Sequence, residues 1–183
     1  MWELVIRTLY LFLPAYAANM APVVAKRLHL FSELARPLDG GLILAGQPVF
    51  GPHKTLRGIL VGFGAAIAVA ALQRLGAERS AIFFSLSQEP HEMYSPVVWG
   101  SALGGGALLG DLVKSFIKRR FGIPPGHRWF PWDQVDLILG ALVVGRFFYP
   151  FPWPMIVVAI LVTPLLGLLV NIGSYILSLK EAW

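Results

Sequence analysis

The sequence predicts an all-α, polytopic integral membrane protein, and its composition and segment lengths lead to that prediction. Of its 183 residues, 56% are hydrophobic and 14% are charged, whereas soluble domains average about 45–50% apolar and about 25% charged residues. The mean hydropathy is +0.67. Several apolar segments approach the roughly 20 residues that a helix needs to cross a bilayer. The length predicts one domain over residues 1–183.

Hydropathy divides the chain into about five transmembrane spans. They cover residues 2–25, 56–76, 94–117, 134–149 and 154–179. The first span does not resemble a signal peptide, because Glu3 and Arg7 interrupt its start and no polar cleavage region follows it. Glycine and proline inside the spans are compatible with membrane helices, since neighbouring helices satisfy the backbone groups that they release.

Basic residues are concentrated in two of the predicted loops, one between spans one and two and one between spans three and four. They are Lys26, Arg27, Arg36, Lys54, Arg57, Lys118, Arg119, Arg120 and Arg128. The positive-inside rule therefore predicts that both loops face the cytoplasm, with the N-terminus outside and the C-terminus inside. Topology and attraction to anionic lipids would account for many of these charges without any catalytic role.

A polar segment, residues 110–136, joins the third and fourth spans. At 3.6 residues per turn, four of its side chains share one helical face, with Arg119 at the edge: Asp111, Lys114, Ser115 and Lys118. An ionised side chain at bilayer depth costs about 2.5–3.5 kcal/mol even on a lenient scale. This face is therefore predicted to line a site or a water-filled cavity, with an interhelical salt bridge as the alternative.

Asp133 and Asp136 begin the fourth span and also share a helical face, with Asp133 placed as an N-cap. Two carboxylates one turn apart repel each other unless a cation lies beside them. The chain has no cysteine, so a metal would need oxygen or imidazole ligands, which favours Mg²⁺. Carboxylates beside an amine-rich face suit a metal-bound nucleoside triphosphate.

The order of these residues is itself a motif: Ser, two residues, Lys-Arg, a spacer, Pro-Gly-His, then two Asp three residues apart. It comprises Ser115, Lys118, Arg119, Pro125, Gly126, His127, Asp133 and Asp136. The motif resembles the signature of the membrane-bound, CTP-dependent phosphatidate cytidylyltransferases. A Lys-Asp pair of that signature is missing, Arg128-Trp129 replaces a Gly pair, and Gln134 replaces an Arg.

These departures, the small size and the five spans resemble the archaeal branch of that family, the CDP-archaeol synthases. That branch has Asn-x-x-Pro in the first span, Asp-Gly in the first loop and Gly-x-x-Lys-Thr-x-Arg-Gly before the second span. The matching residues are Asn19, Pro22, Asp39, Gly40, Gly51, Lys54, Thr55, Arg57 and Gly58. The resemblance implies that both basic loops contribute to one site.

The resemblance also implies a reaction, in which CTP and 2,3-bis-O-geranylgeranylglycerol 1-phosphate give CDP-archaeol and pyrophosphate during membrane phospholipid biosynthesis. Asp133, Asp136, Lys118 and Arg119 would be catalytic. Mg²⁺ would be held by Asp133 and Asp136, with Asp111 either as a third ligand or as the partner of an amine. Nucleotide and phosphate would be bound by Asn19, Asp39, Lys54, Thr55, Arg57, Gly58, Ser115, Pro125, Gly126, His127 and Gln134. The expected partners are CTP, the lipid phosphate and membrane lipids, without nucleic acid; the oligomeric state is left open, a homodimer included.

Two single-residue assignments and three whole functions compete with this interpretation. Asn19 would alternatively bond a carbonyl released by Pro22, and His127 would be a turn residue. A phosphatidate cytidylyltransferase acting on acyl lipids and a small transporter or channel are alternative functions, although the chain shows no inverted repeat of broken helices. A CDP-alcohol phosphotransferase is disfavoured, because Asp39-Gly40 is followed by GLILAG instead of the motif that class requires.

Overall fold

The computed structural model describes residues 1–87, 93–127 and 129–176, with side chains as far as residue 169. These ranges contain seven α-helices: α1 (Trp2–Leu11), α2 (Leu13–Arg27), α3 (Leu56–Arg79), α4 (Ala81–Ser87), α5 (Pro96–Arg120), α6 (Trp132–Gly145) and α7 (Trp153–Ile176). The loop between α2 and α3 holds a short 3₁₀ helix, Ser32–Leu34, and an antiparallel hairpin of β1 (Ile43–Leu44) and β2 (Gln47–Pro48). The prediction of an all-α fold is confirmed.

The predicted first span is broken into two helices. α1 and α2 meet at Phe12 with a bend of 53°. Pro14 lies in the first turn of α2, where the amide that proline lacks would have no intrahelical partner. A new helix can therefore begin at this point and take another direction.

The described residues do not confirm five spans. α3 and α5 are each long and apolar enough to cross a membrane, and the bent α1–α2 pair would make a third span. α6 has 14 residues, which corresponds to about 21 Å and falls short of the roughly 30 Å hydrocarbon core. It also ends before residue 149, the predicted limit, because the chain turns after Gly145 and Pro150 cannot continue the helix.

The last predicted span is described only in part. α7 starts at Trp153, and the apolar stretch with described side chains is Trp153–Leu169. Residues 177–179 of that span lie outside the described residues, as does Arg128 of the second basic loop.

α5 is the central helix of the fold, packing against α2, α3 and α6. Its first half is apolar and buried, with Trp99 and Leu103 fully enclosed. Trp99 packs edge-on against Tyr149, with ring centroids 6.4 Å apart. From Asp111 onward the same helix carries polar side chains. The apolar half therefore anchors a polar half in place.

Glycines allow α5 to pack closely against α3. A Cβ on Gly104 would lie 2.3 Å from Cβ of Ala66, and one on Gly100 would lie 2.8 Å from the Ala66 carbonyl oxygen. Both distances are too short for a real Cβ atom, so a residue with a side chain would clash at either position. These glycines therefore serve the close packing of α5 against α3.

α2 approaches α3 in a similar way. Pro22 has no N–H, so it cannot bond the carbonyl of Ala18 within α2. Gly62 of α3 lies against that oxygen, and a Cβ on Gly62 would be 2.6 Å from it. A glycine is therefore required at this contact.

Candidate active site

One ammonium group lies at the centre of a cluster of three carboxylates. Lys114 Nζ is 2.7 Å from Asp136 Oδ2 and 3.1 Å from both Asp111 Oδ1 and Asp133 Oδ1. Lys114 and Asp111 are one turn apart on α5, and the other two carboxylates come from the first turns of α6. The cluster therefore bridges α5 and α6.

Two further lysines complete the charge balance of this cluster. Lys54 Nζ lies 2.5 Å from Asp111 Oδ2, and Lys118 Nζ lies 3.0 Å from Asp133 Oδ2. Three amines thus face three carboxylates in a largely buried site. The sequence placed the five residues around Lys114 at one site, and the structure brings all of them together.

Asp133 does not cap α6, contrary to the sequence-based prediction. The N-cap position is Pro131, and Asp133 lies in the first turn of the helix. Its Oδ2 instead accepts a hydrogen bond of 2.5 Å from the backbone amide of Trp129. The carboxylate therefore joins the second basic loop to the cluster.

A cavity of about 230 Å³ opens beside this cluster. It is lined by Phe50, Gly51, His53, Lys54, Lys114, Ser115, Lys118, Arg119, Pro125, Gly126, His127 and Asp133. These residues come from both basic loops and from the polar half of α5, so the two loops contribute to one cavity, as predicted. Four of the lining side chains are lysine or arginine and one is a carboxylate, so the cavity suits a polyanion.

Arg119 has spare hydrogen-bonding capacity at this cavity. Its side chain is buried, and Nη1 donates to the carbonyl of Ile123. Its Nε is buried without a hydrogen-bond partner among the described residues. A buried guanidinium donor without a partner is costly unless an acceptor reaches it, which fits an anionic ligand.

Asp39 organises the first basic loop and does not line the cavity. Its carboxylate accepts hydrogen bonds from the amides of Phe50, Gly41 and Gly51, at 2.8, 3.0 and 3.2 Å. Burial disfavours the ionised form, but these amides outweigh that effect and hold the pKa of Asp39 below its usual value. Phe50 and Gly51 line the cavity, so Asp39 shapes its wall from behind.

The lowered pKa of Asp39 predicts an acid-sensitive loop. A carboxyl group whose pKa falls on folding contributes stability above its unfolded pKa of about 3.9, and this contribution is lost as the pH falls through the lower folded pKa. Asp39→Asn should therefore lower the melting temperature by a constant amount above about pH 5, and the difference should shrink below about pH 4. Thermal unfolding of the wild type and of Asp39→Asn on both sides of this pH range checks the prediction. A difference in melting temperature that grows on acidification would contradict the lowered pKa of Asp39.

Arg120 fastens the hairpin of the first loop to the end of α5. Its guanidinium donates to the carbonyls of Leu44, Pro48 and Gln47, at 2.5, 2.7 and 3.2 Å. It also lies 5.1 Å from the ring centroid of Phe116. The sequence alone assigned Arg120 to topology or lipid headgroups, and the structure corrects this assignment, because the side chain is committed to the hairpin.

Loss of these bonds should weaken substrate binding without touching the charged cluster. Arg120→Gln removes three charge-assisted hydrogen bonds, and the hairpin next to Phe50 and Gly51 should loosen. We expect KM for an anionic substrate of the cavity to rise about 10-fold, with a smaller change in kcat. A 10-fold change corresponds to about 1.4 kcal/mol, within the range of one such bond. Arg36→Gln is the matched control, since Arg36 is an exposed arginine of the same loop. Equal KM values for the two variants would contradict this role.

Several predicted site residues lie outside the cavity lining. Thr55 caps α3, its hydroxyl accepting a 3.1 Å bond from the amide of Gly58. Arg57 is buried and donates to the carbonyl of Leu30 at 3.3 Å. Asn19 is exposed, and Gln134 has a buried side-chain oxygen without a partner among the described residues. Thr55, Gly58 and Arg57 therefore support the loop, whereas neither Asn19 nor Gln134 lines the cavity.

Four participating residues were not among the predicted catalytic, binding or metal residues: Lys114, Phe50, His53 and Arg120. Lys114 was placed on the face predicted to line a site or a cavity, but without a role of its own, and its i, i+3 spacing from Asp111 was the available signal. Phe50, His53 and Arg120 depend on how the first loop folds back over α5. No local spacing indicates that fold.

The carboxylates are suitable ligands for Mg²⁺, but they do not form a preformed coordination site. Oxygens of Asp111, Asp133 and Asp136 converge on one point, and hard oxygen donors are what Mg²⁺ prefers. The ammonium of Lys114 occupies that point. Within the described ranges, no three acidic or histidine side chains are arranged to hold a metal ion. The donor set therefore suits Mg²⁺ in the kind of its atoms, and its counter-ion in this structure is the Lys114 ammonium.

Comparison with known proteins identifies the family. A family model described as CarS-like CDP-archaeol synthase matches residues 1–183. The chain belongs to the CDP-archaeol synthase family. Among the similar CDP-archaeol synthases, that of Thermofilum pendens is 35% identical over 97% of this chain and 80% of its own length. That of Methanoculleus marisnigri is 37% identical over 92% of this chain and 98% of its own length. That of Archaeoglobus fulgidus is 32% identical over 99% of this chain and 98% of its own length.

A solved structure supports the same family. It is described as an intramembrane enzyme for archaeal membrane lipids biosynthesis, and it superposes with a TM-score of 0.70 at 36% sequence identity. The match covers 90% of this chain and 92% of that one. The protein is therefore a membrane enzyme of the CDP-archaeol synthase family, and the recognition made from the two loop motifs is confirmed.

Proposed function

We propose that the protein transfers the cytidylyl group of CTP to 2,3-bis-O-geranylgeranylglycerol 1-phosphate, forming CDP-archaeol and pyrophosphate. The observation that carries the proposal is a cationic cavity, built by both basic loops, that opens beside three carboxylates in a member of this family. Such a cavity holds several phosphate groups at once. The triphosphate of CTP and the phosphate of the lipid together bring several negatively charged groups to one place.

The reaction needs positioning and charge neutralisation more than acid–base chemistry. A phosphomonoester has a second pKa of about 6, so the lipid phosphate is largely a dianion near pH 7 and needs no general base. One of its oxygens attacks the α-phosphorus of CTP, the bond from that phosphorus to the bridging oxygen breaks, and pyrophosphate leaves with the electron pair. The enzyme must hold the two anions in line and stabilise the departing charge.

The cationic side chains of the cavity supply these functions. Lys54, Lys118 and Arg119 are assigned to phosphate oxygens, with the unpartnered Nε of Arg119 available as a further donor. Ser115 and His127 line the same cavity and would orient the nucleotide. Aligning the groups before reaction removes much of the entropic cost of bringing two polyanions together.

Asp133 and Asp136, with Asp111 as a third ligand, would hold Mg²⁺. Bound there, the metal would neutralise phosphate oxygens of the nucleotide and polarise the reacting phosphorus. The carboxylate cluster supports this assignment because its oxygens already face one cationic point. Lys54 and Lys118 pair with the outer oxygens of Asp111 and Asp133 and so orient these two carboxylates.

The membrane topology is also proposed, with both basic loops and the C-terminus in the cytoplasm and the N-terminus outside. This orientation follows the distribution of Lys and Arg and gives the site direct access to cytoplasmic CTP. The lipid chains would lie in an apolar groove between the helices, open sideways to the bilayer. The lipid phosphate would then reach the cavity without leaving the membrane.

The test uses the purified protein in detergent with radiolabelled CTP, Mg²⁺ and the ether-lipid phosphate. A labelled CDP-lipid should form and should be lost when EDTA removes the metal. Competition with an acyl lipid phosphate distinguishes a phosphatidate cytidylyltransferase, which would prefer the acyl substrate. Absence of product with either lipid would refute the proposal and leave the transporter or channel alternative, for which flux through liposomes is the assay.

A further inference from the structure

Lys114 lies where the carboxylates would hold a divalent cation. We propose that the Lys114 ammonium is a displaceable internal counter-ion, which neutralises the Asp111–Asp133–Asp136 cluster without metal and gives up its position when Mg²⁺ binds. This inference rests on the proposed Mg²⁺ dependence. It assigns to Lys114 a role in controlling when the site becomes cationic enough to bind nucleotide.

The geometry distinguishes Lys114 from its neighbours. Its Nζ lies within 3.1 Å of all three carboxylates, whereas Lys54 and Lys118 each contact one of them. Three carboxylates this close to one point repel one another strongly unless a cation lies between them. Lys114 is the described cation that occupies that place, so a metal ion can reach the same oxygens only by replacing it.

Replacement of the Lys114 ammonium by Mg²⁺ would make the site more positive, as the binding of a polyanionic nucleotide requires. Without metal, the three carboxylates and the three lysines of the cluster balance each other. A bound Mg²⁺ brings two positive charges while all three lysines remain charged, so the cluster and its surroundings become net positive. Metal binding would therefore prepare the cavity for the polyanionic nucleotide, and the nucleotide would strengthen metal binding in return.

The side chain has a place to go when it is displaced. Lys114 lines the cavity as well as the cluster, next to Ser115 and Lys118 on the same helical face. Its flexible four-carbon stem allows the amine to swing into the cavity by rotamer changes alone. There the freed ammonium can bind a phosphate oxygen, so the same group would serve first the carboxylates and then the substrate.

Direct metal binding separates this role from that of a permanent salt bridge. The probe is Mn²⁺, measured by electron paramagnetic resonance on the full chain in detergent without nucleotide or lipid. Lys114→Met removes the competing ammonium and keeps an unbranched side chain only one atom shorter. It should bind Mn²⁺ about 10-fold more tightly or better, as expected when a buried charge loses its partner. In EDTA the variant should melt at a lower temperature than the wild type, and saturating Mn²⁺ should restore it. Lys26→Met, which removes an exposed lysine at the end of α2, should match the wild type in both measurements.

A second measurement uses the wild-type protein, in case Lys114→Met does not fold. A water-soluble acetylating reagent, followed by mass spectrometry of the peptides, reports the reactivity of each lysine. Saturating Mn²⁺ should raise the labelling of Lys114 several-fold and leave that of Lys26 unchanged.

The outcomes separate this inference from the proposed function. If the wild type binds Mn²⁺ and Lys114→Met binds it no more tightly, or if Mn²⁺ leaves the labelling of Lys114 unchanged, the displacement is refuted and the metal assignment stands. If neither protein binds Mn²⁺, the metal assignment fails and the inference fails with it.

Discussion

Asp136→Asn is expected to remove nearly all CDP-lipid formation while the protein still folds. Asp136 is the carboxylate nearest to Lys114, at 2.7 Å, and only 8% of its side chain is exposed. Asparagine keeps the shape but removes the charge that would hold Mg²⁺ and pair with the ammonium. The loss should be on the order of 10²–10³-fold, as for the removal of a single electrostatic contact to the transition state. The measurement is radiolabelled CDP-lipid formed from CTP.

Asp133→Asn should have an effect of similar size, because Asp133 contacts both Lys114 and Lys118. Glu78→Gln is the control, since this acidic residue forms an exposed pair with Arg74 at 3.2 Å on α3. It should retain wild-type activity, as surface pairs contribute little to stability. Elution as a single species on size exclusion and a cooperative melting transition establish folding. Full activity in both aspartate variants would contradict the proposed metal site.

The charged face of α5 could be predicted because it depends only on helical periodicity. Asp111, Ser115 and Lys118 recur at intervals of three and four residues, and any helix through these positions presents them together. Asp133 and Asp136 are likewise one turn apart on α6. Local spacing therefore fixed two half-sites, and the ordered family motif indicated that they meet.

The number of spans could not be read from hydropathy. A hydropathy window counts apolar residues but does not detect where a helix stops, so the break at Phe12 and the early end of α6 at Gly145 were missed. Pro14 was visible in the sequence, but proline inside a membrane helix does not by itself specify a bend. The angle depends on how the two helices pack, which is tertiary information.

The roles of Asp39 and Arg120 could not be predicted from the sequence, for a different reason. Each side chain bonds backbone groups that come near only after the first loop has folded: Asp39 reaches the amides of Phe50 and Gly51, and Arg120 reaches carbonyls more than 70 positions earlier. A motif indicates that such a residue matters but not whether it binds substrate or shapes the loop. The family motif suggested a nucleotide contact for Asp39, whereas the structure places it in the support of the cavity wall.

The contact between α5 and α6 joins the packing of the fold to its chemistry. A Cβ on Gly140 of α6 would lie 2.1 Å from the carbonyl oxygen of Gly106 on α5, and one on Gly110 would lie 2.2 Å from the carbonyl oxygen of Asp136. Backbone atoms meet here, so no side chain can rotate away to make room. The separation of the two helices at this contact sets the distance between Lys114 on α5 and the carboxylates on α6.

Gly140→Ala should therefore impair both stability and activity. Alanine favours an isolated helix over glycine by about 1 kcal/mol, but forcing a methyl group into this contact should cost about 1–3 kcal/mol or more, so the steric term should prevail. We expect the melting temperature to fall by about 5 °C and CDP-lipid formation to fall with it, because α6 would carry Asp133 and Asp136 away from Lys114. Gly167→Ala on α7 is the matched control, since a Cβ there meets no atom within 4 Å, and it should melt at or slightly above the wild-type temperature. Equal melting temperatures for the two variants would show that α5 and α6 can move apart without cost. The positions of Asp133 and Asp136 would then depend on their ion pairs with Lys114 and not on helix packing.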